Sequence, residues 1–342
     1  MDNKFSDIYF MSRCIEVAKQ GIGKTYPNPS VGCIIVNNNS IISEAYSSEH
    51  GGSHAEINAI NKIKDIKLLK TSTLYVTLEP CSHFGKTPPC CNTISKYNIP
   101  RVVIGTLDNS KKVNGKGIEY LKKNNINVVF GVLKNKCDEL HKNFLCFNKN
   151  SRPYIILKWA QSNDKFISPL KKIEKKPFWI SSLKSRQLVH KWRAKEHAIL
   201  VGYNTIIDDN PKLNIRDWSG HNPTRIVVDL DNNLNEGFNI FNKEATTLKI
   251  TEKEINLSNP LIDEIIKFLF KKNIQSIIVE GGRKTLDLFI KNNIWDEARV
   301  FSSNKKLVKG LKAPKINGNI IVKKKIGNDE LEIIKPFNSF NN

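Results

Sequence analysis

Gly52-Ser53-His54-Ala55-Glu56, followed by Thr77-Leu78-Glu79-Pro80-Cys81 and then Pro88-Pro89-Cys90, is the stretch that decides how this chain folds. One imidazole and two thiols form a tetrahedral zinc set with three protein ligands, leaving the fourth position to water. Zinc lowers the pKa of such a water toward ~7. Glu56 stands two residues from His54, close enough to move protons without being a ligand. Pro80 fixes the backbone ahead of Cys81, and a helix starting near Cys90 favours thiolates at its N-terminus. A purely structural zinc normally takes a fourth protein ligand. His83 and Cys91 are the nearby candidates, but Cys91 adjoins Cys90 and would strain a shared site. A glutamate placed as H-x-E also has no task in a structural centre.

Around this core the periodicity alternates between helix and strand. Ile8, Met11, Ile15 and Ala18 share one face of a predicted helix over 6–20, with Gly21 after its end. Strands are predicted at 31–36, 41–46, 73–78, 101–106 and 127–132, and helices at 54–63 and 118–123. This is an α/β domain with one central sheet. The polar segment Phe147-Asn148-Lys149-Asn150-Ser151-Arg152-Pro153 breaks the pattern and reads as a linker. A second alternating block follows, with strands at 154–159, 198–202, 225–229 and 276–279 and helices at 182–195, 261–271 and 285–291. Ser181 or Ser182 is a candidate N-cap for the first of these helices.

The whole-chain numbers agree with two domains: 342 residues against ~150 per domain. No apolar run approaches the ~18–20 residues of a membrane span, and the N-terminus lacks a signal-peptide pattern. Seven cysteines, an odd number, do not suggest a disulfide framework. The expectation is a soluble, cytoplasmic protein. Its net charge of +21 invites a nucleic-acid reading. However, nine Arg stand against forty-five Lys, scattered with Asn and Ile through the whole length. Arg is the residue for bidentate recognition of bases and phosphates, so the charge reads as compositional drift onto solvated faces. Against that background Arg193 and Arg216 read as phosphate ligands.

H-x-E with a downstream P-C…C is the signature of zinc deaminases, of which the nucleic-acid enzymes carry P-C-x-x-C. Here eight residues, Ser82 to Pro89, separate the cysteines. With the run Tyr26-Pro27-Asn28-Pro29-Ser30-Val31-Gly32-Cys33 and the motifs quoted above, the chain resembles the RibD family of riboflavin-biosynthesis proteins. That family joins a diaminohydroxyphosphoribosylaminopyrimidine deaminase to a 5-amino-6-(5-phosphoribosylamino)uracil reductase. Asp208-Asp209-Asn210-Pro211-Lys212-Leu213-Asn214-Ile215-Arg216 and Val279-Glu280-Gly281-Gly282-Arg283-Lys284-Thr285-Leu286 carry the likeness into the second block.

The resemblance implies a cytidine-deaminase-like three-layer α/β domain over 1–146, a linker over 147–153 and a dihydrofolate-reductase-like domain over 154–342. It implies Zn2+ on His54, Cys81 and Cys90, with Glu56 as the proton shuttle. Asn28, His83 and Lys86 would contact the deaminase substrate, and Arg193, Leu213, Arg216 and Glu280 the reductase substrate. NADPH would lie on Ala160, Trp179, Thr205, Asp209 and the run Gly282, Arg283, Lys284, Thr285, Leu286, Asp287 and Leu288. Gly281 and Gly282, between an apolar strand and a helix, also suit a phosphate on their own terms, although this is not the G-x-G-x-x-G fingerprint. The implied partner is a small pyrimidine ribosylamine phosphate, without nucleic acid or membrane, in a homodimer or higher homo-oligomer.

One departure stands out: Ser162-Asn163-Asp164-Lys165 occupies the place of a Ser-Leu-Asp-Gly-like turn. A positive φ there would burden Lys165, since only glycine takes it cheaply. An active deaminase with an impaired reductase is therefore one alternative. The others are a deaminase of tRNA or other nucleic acid and a zinc-stabilised nucleic-acid-binding protein.

Overall fold

The computed structural model describes residues 3–84, 88–170 and 177–337. The chain divides into two compact units, Met1–Ser151 and Arg152–Asn342.

The first unit runs α1 (Asn3–Lys19), β1 (Gly32–Asn37), β2 (Ser40–Tyr46), α2 (Ala55–Asn61), β3 (Thr73–Leu78), α3 (Cys90–Lys96), β4 (Arg101–Thr106), α4 (Lys116–Lys123), β5 (Asn127–Phe130), α5 (Lys134–Leu140) and α6 (Lys142–Asn150). Its sheet has the order β2-β1-β3-β4-β5. β1 pairs antiparallel with β2 and β3, while β3, β4 and β5 are parallel. The central strands are apolar on both faces because helices cover both. Cys33, Ile35, Leu74 and Val76 pack with Ala59, Ile94 and Leu121 of α2, α3 and α4. Ile34, Val36 and Tyr75, one residue out of phase, pack with Phe10, Met11 and Cys14 of α1 and Cys137 of α5. The result is three layers. Asp7 pins α1 to the sheet, taking Arg101 Nη1 and Nη2 at 2.9 and 2.7 Å and the Tyr75 hydroxyl at 2.8 Å.

The second unit runs β6 (Tyr154–Gln161), β7 (Phe166–Ser168), α7 (Leu183–Arg193), β8 (Ala198–Gly202), α8 (Tyr203–Asp209), β9 (Thr224–Val228), β10 (Thr247–Ile250), α9 (Leu261–Lys271), β11 (Ser276–Val279), α10 (Arg283–Lys291), β12 (Glu297–Ser302), β13 (Leu311–Lys312), β14 (Asn319–Ile326) and β15 (Asp329–Lys335). An eight-stranded sheet has the order β10-β9-β8-β11-β6-β12-β15-β14, parallel as far as β12 and antiparallel beyond. α9 and α10 cover one face through Ile265, Leu269, Leu286 and Phe289. Ile206 of α8 and Val189 of α7 pack on the other. Ser182 caps α7, its hydroxyl accepting from the Ser185 N–H.

The expected linker is not a linker over most of its length. α6 continues to Asn150, and Ser151, with φ +52°, turns the chain into Arg152. Phe144 packs on the core and Phe147 is buried, an i, i+3 apolar stripe that the surrounding Asn and Lys residues obscure. Arg152 then donates to Asp296 at 2.6 and 2.8 Å, so the second unit begins on a fork-like ion pair. α5, α8, β10 and β12 were also not predicted; each is short, and polar residues interrupt its pattern.

Asparagine does much of the turning. Asn38 and Asn39, with φ +47° and +60°, form the turn between β1 and β2, as a two-residue hairpin with two left-handed positions requires. Asn98, Asn125, Asn273 and Asn293 are left-handed two residues beyond the ends of α3, α4, α9 and α10, directly after the C-cap residue, the helix-ending place glycine usually takes.

Lys165 is left-handed, with φ +65°. Its turn is nonetheless built. Lys165 N–H reaches the Ser162 carbonyl at 3.0 Å, and Asp164 accepts from the N–H groups of Leu307 and Val308 at 3.1 and 2.7 Å. The left-handed conformation costs an ordinary residue ~1–2 kcal/mol, and glycine returns part of that as unfolded-chain entropy. Lys165→Gly is therefore expected to stabilise the protein by about 0.5–1 kcal/mol. A urea midpoint that does not rise would refute this.

Candidate functional site

The His54 backbone is extended and caps α2, so its side chain stands at the helix start, with Glu56 in the first turn. Cys81 lies three residues past the end of β3, and Cys90 is the first residue of α3. His54 Nδ1 is 3.5 Å from Cys81 Sγ and 3.3 Å from Cys90 Sγ. The three ligand atoms all lie within 4.8 Å of one another. Tetrahedral zinc with bonds of about 2.0–2.3 Å separates its ligand atoms by about 3.5 Å. These donors therefore fit zinc in both chemistry and spacing. The Cys90 N–H donates to Cys81 Sγ at 3.3 Å. Hydrogen bonds from Cys90 and His54 pull Cys81 toward the thiolate. The bond to Cys81, with burial, pushes the Cys90 thiol up, and the bond to Cys81 raises His54 to about 9. Glu56 is 3% exposed. Burial pushes its carboxyl above the usual range, and its side chain bonds to Cys90.

Glu79, quoted in the motif but given no role from sequence, anchors the surrounding loop. Its two oxygens accept from four backbone N–H groups: Asp108 at 3.3, Gly115 at 3.0, Gly117 at 2.9 and Ile118 at 3.2 Å. A Cβ on Gly117 would stand 2.2 Å from the Pro80 carbonyl, so only glycine lets this loop close on the segment that carries Cys81. The loop brings the buried Asp108 near His83. His83 Nδ1 is buried without a hydrogen-bond partner among the described residues. Asn28 sits in the turn before β1, its backbone tied to Thr25 by two bonds of 2.9 Å. Its side-chain amide has no partner among the described residues. Lys86 lies outside the described residues.

In the second unit Glu280 directly follows β11 and holds Arg193 by two bonds of 2.8 Å. Lys158, which the sequence reading left without a role, lies 3.4 Å from the same carboxylate. Burial pushes Lys158 down, while the charges of Arg193 and Lys158 overcome the burial of Glu280 and hold it at about 2. Arg193 also reaches the Asn214 carbonyl at 3.0 Å. Arg216 is close enough for Arg193 to act on its charge. Leu213 is left-handed, with φ +52°, and its side chain packs in the core. Only its main chain is left to meet a ligand.

The expected nucleotide residues separate into two groups. Gly282 caps α10, and Gly281 has φ +119°, a conformation suited to glycine. Thr205 Oγ1 would lie 3.2 Å from a Cβ on Gly282, and Thr285 Oγ1 2.4 Å from one on Gly202. Gly202, Thr205, Gly282 and Thr285 thus form a narrow cradle at the ends of β8 and β11, which fits a phosphate at the start of α10. The rest of the run turns inward: Leu286 and Leu288 pack on the core, and Arg283 is occupied by Asp287 and the carbonyls of Lys312 and Ala313. Lys284 occupies the first turn of α10, and Asp209 ends α8. Ala160 lies on the α7 side of β6. Trp179 is 44% exposed, with Arg186 4.7 Å from its ring and the Lys305 ammonium on its carbonyl at 2.9 Å.

Both units match known proteins. Residues 5–106 match the cytidine and deoxycytidylate deaminase zinc-binding region. Residues 153–307 match the RibD C-terminal domain. Riboflavin biosynthesis protein RibD of Aquifex aeolicus is 36% identical over 89% of each chain, and that of Escherichia coli is 32% identical over 88% of each. A Thermotoga maritima crystal structure, titled a diaminohydroxyphosphoribosylaminopyrimidine deaminase/5-amino-6-(5-phosphoribosylamino)uracil reductase, superposes with a TM-score of 0.88 at 33% identity. It covers 98% of this chain and all of that one. Acinetobacter baumannii RibD, at 27% identity, gives a TM-score of 0.86 and covers 97% of this chain and 99% of that one. These likenesses favour neither a nucleic-acid deaminase nor a nucleic-acid-binding protein. Zinc and NADPH are the cofactors. No helix of the described residues is long and apolar enough to cross a membrane. With a zinc-binding deaminase domain ahead of a dihydrofolate-reductase-like domain, the chain belongs to the RibD family of bifunctional riboflavin-biosynthesis enzymes.

Proposed function

We propose that residues 1–146 hydrolytically deaminate 2,5-diamino-6-ribosylamino-4(3H)-pyrimidinone 5′-phosphate, and that residues 154–342 reduce the opened ribosyl chain of the product to ribityl. The observation that carries this reading is the convergence of His54, Cys81 and Cys90 beside the buried Glu56. His54, Cys81 and Cys90 would hold the zinc, which when bound makes a water nucleophilic at neutral pH. Glu56 takes one proton from the attacking water and gives it to the ring nitrogen, then takes the second from the hydroxyl added to the ring carbon and gives it to the departing amine as the carbonyl forms. Its burial supports that cycle, because a carboxyl pushed upward holds a proton between the two transfers. The unpartnered Asn28 amide suits the pyrimidine edge. His83 and Lys86 would complete that pocket.

NADPH supplies the hydride in the second domain, so the protein's task there is orientation and electrostatics. Thr205, Gly282 and Thr285 would seat the cofactor's phosphate and Trp179 its ring end. Arg216 would take the substrate phosphate, with Arg193, already held by Glu280, beside it. Glu280, kept ionised by Arg193 and Lys158, would accept hydrogen bonds from the sugar. The formed turn at Ser162–Lys165 supports a working reductase over an impaired one. Family membership supports a cytoplasmic homodimer or higher homo-oligomer.

Glu56→Ala is expected to lower ammonia release at least ~100-fold, with zinc content and NADPH oxidation on the deaminated substrate retained. Unchanged ammonia release would overturn the proton-shuttle role. Removal of the metal by a chelator should likewise stop deamination and spare reduction, measured on one sample. The Glu280 pKa gives a pH signature. Its folded value, about 2, is depressed below that of the unfolded chain. Its stabilisation is therefore complete above about pH 5 and fades as pH falls toward 2. Glu280→Gln should cost about 3–5 kcal/mol near pH 7 by leaving Arg193 and Lys158 uncompensated. Urea titrations should show the gap from wild type narrowing below pH 4.

A further inference from the structure

Three of the nine arginines meet in the second unit, close enough for Arg186 and Arg193 to lower the pKa of Arg216. Two of them are neutralised. Arg186 Nε donates to Asp217 at 3.1 Å, and Arg193 is forked onto Glu280. Arg216 makes no ion pair among the described residues. Its guanidinium donates to a neutral acceptor, Asn214 Oδ1, at 2.6 Å.

Asn214 is only 6% exposed and is fixed from several sides. Its Nδ2 donates to Glu244, which also holds Lys212 at 3.1 Å. Its main-chain carbonyl accepts from Arg193 Nη1 at 3.0 Å. The next residue, Ile215, donates its N–H to Asn222 Oδ1 at 2.7 Å, and the Arg216 N–H donates to His190 Nδ1 at 2.9 Å. One residue thus touches both arginines and sets their spacing. The choice of an amide matters. A carboxylate at 214 would hold Arg216 equally well but cancel its charge, whereas an amide orients the guanidinium and leaves the charge for a ligand.

We infer that Asn214 is a positioning residue of the reductase site, presenting Arg216, which makes no ion pair among the described residues, to the phosphate of the substrate. This rests on the reading of Arg216 as a phosphate ligand, so the test separates the two claims.

The full-length enzyme is assayed by NADPH oxidation on 5-amino-6-(5-phosphoribosylamino)uracil and on its dephosphorylated counterpart. A hydrogen bond to a charged group is worth roughly 10- to 100-fold in binding. Asn214→Ala should therefore raise KM for the phosphorylated substrate at least ~10-fold. Values of kcat, of KM for NADPH and of KM for the dephosphorylated compound should change less than about threefold. Asn214→Thr, which restores an acceptor oxygen, should recover most of the loss. If Asn214→Ala does not fold, Glu244→Ala frees the amide from its far side and should move the same constant in the same direction. An unchanged KM in these variants, alongside a large rise in Arg216→Ala, would overturn the role of Asn214 alone. Loss shared equally by both substrates, or by KM and kcat together, would make Asn214 merely structural. If Arg216→Ala fails to discriminate between the two substrates, the phosphate reading itself fails.

Discussion

Both units depend on one constraint: parallel strands must be rejoined by helices, and each return sets a helix start beside the carboxyl end of a strand. In the first unit β3 runs out into Pro80-Cys81, and α3 begins on Cys90. In the second, β11 runs out into Glu280 and the glycine pair before α10, while β8 ends on Gly202. These ends are where backbone N–H groups lack helical partners and where loops can carry side chains without breaking the sheet. Glu79 shows how firmly the edge is held. Its carboxylate supplies the missing acceptors for four N–H groups of the loop that wraps the zinc ligands.

The zinc set was legible because its demands are on residue type and fall within two short motifs. His54, Ala55 and Glu56 are contiguous, and Cys81 and Cys90 are named by their chemistry wherever the fold takes them. Glu79 and Lys158 were not legible. The partners of Glu79 lie 29 to 39 positions away and are backbone groups, while Lys158 meets Glu280 across 122 positions. The misread linker has the opposite cause. Its Asn and Lys residues look like loop, and of the two phenylalanines that make it helix only Phe147 falls within it. The burden on Lys165 could be foreseen because left-handed geometry is a property of one residue. Asp164 and its contacts with Leu307 and Val308, which make the turn tolerable, could not.

Rarity of arginine marks fixed positions of more than one kind. Arginines stood out in a lysine-rich chain, yet most are structural forks. Arg101 holds Asp7, Arg152 holds Asp296, and Arg283 ties Asp287 to two carbonyls. Arg225 is fully buried with no ion pair among the described residues, donating to the carbonyls of Lys212, Asn242 and Ala245 and to the Asn242 side chain. A planar guanidinium can satisfy several fixed acceptors at once where an ammonium cannot. What sets Arg216 apart is therefore not that it is an arginine but that, unlike the buried Arg225, it is exposed and makes no ion pair among the described residues.

The asparagines that close α3, α4, α9 and α10 have a consequence that no contact in the folded chain reveals. A glycine at those positions would fit the left-handed geometry with less local cost, but it would also enlarge the set of conformations open to the denatured chain. Asparagine tolerates the geometry and narrows that set. Part of the resistance of this protein to unfolding therefore resides in the coil it must unfold to. The turns that look least constrained in the native state are among the places where the denatured ensemble is most restricted.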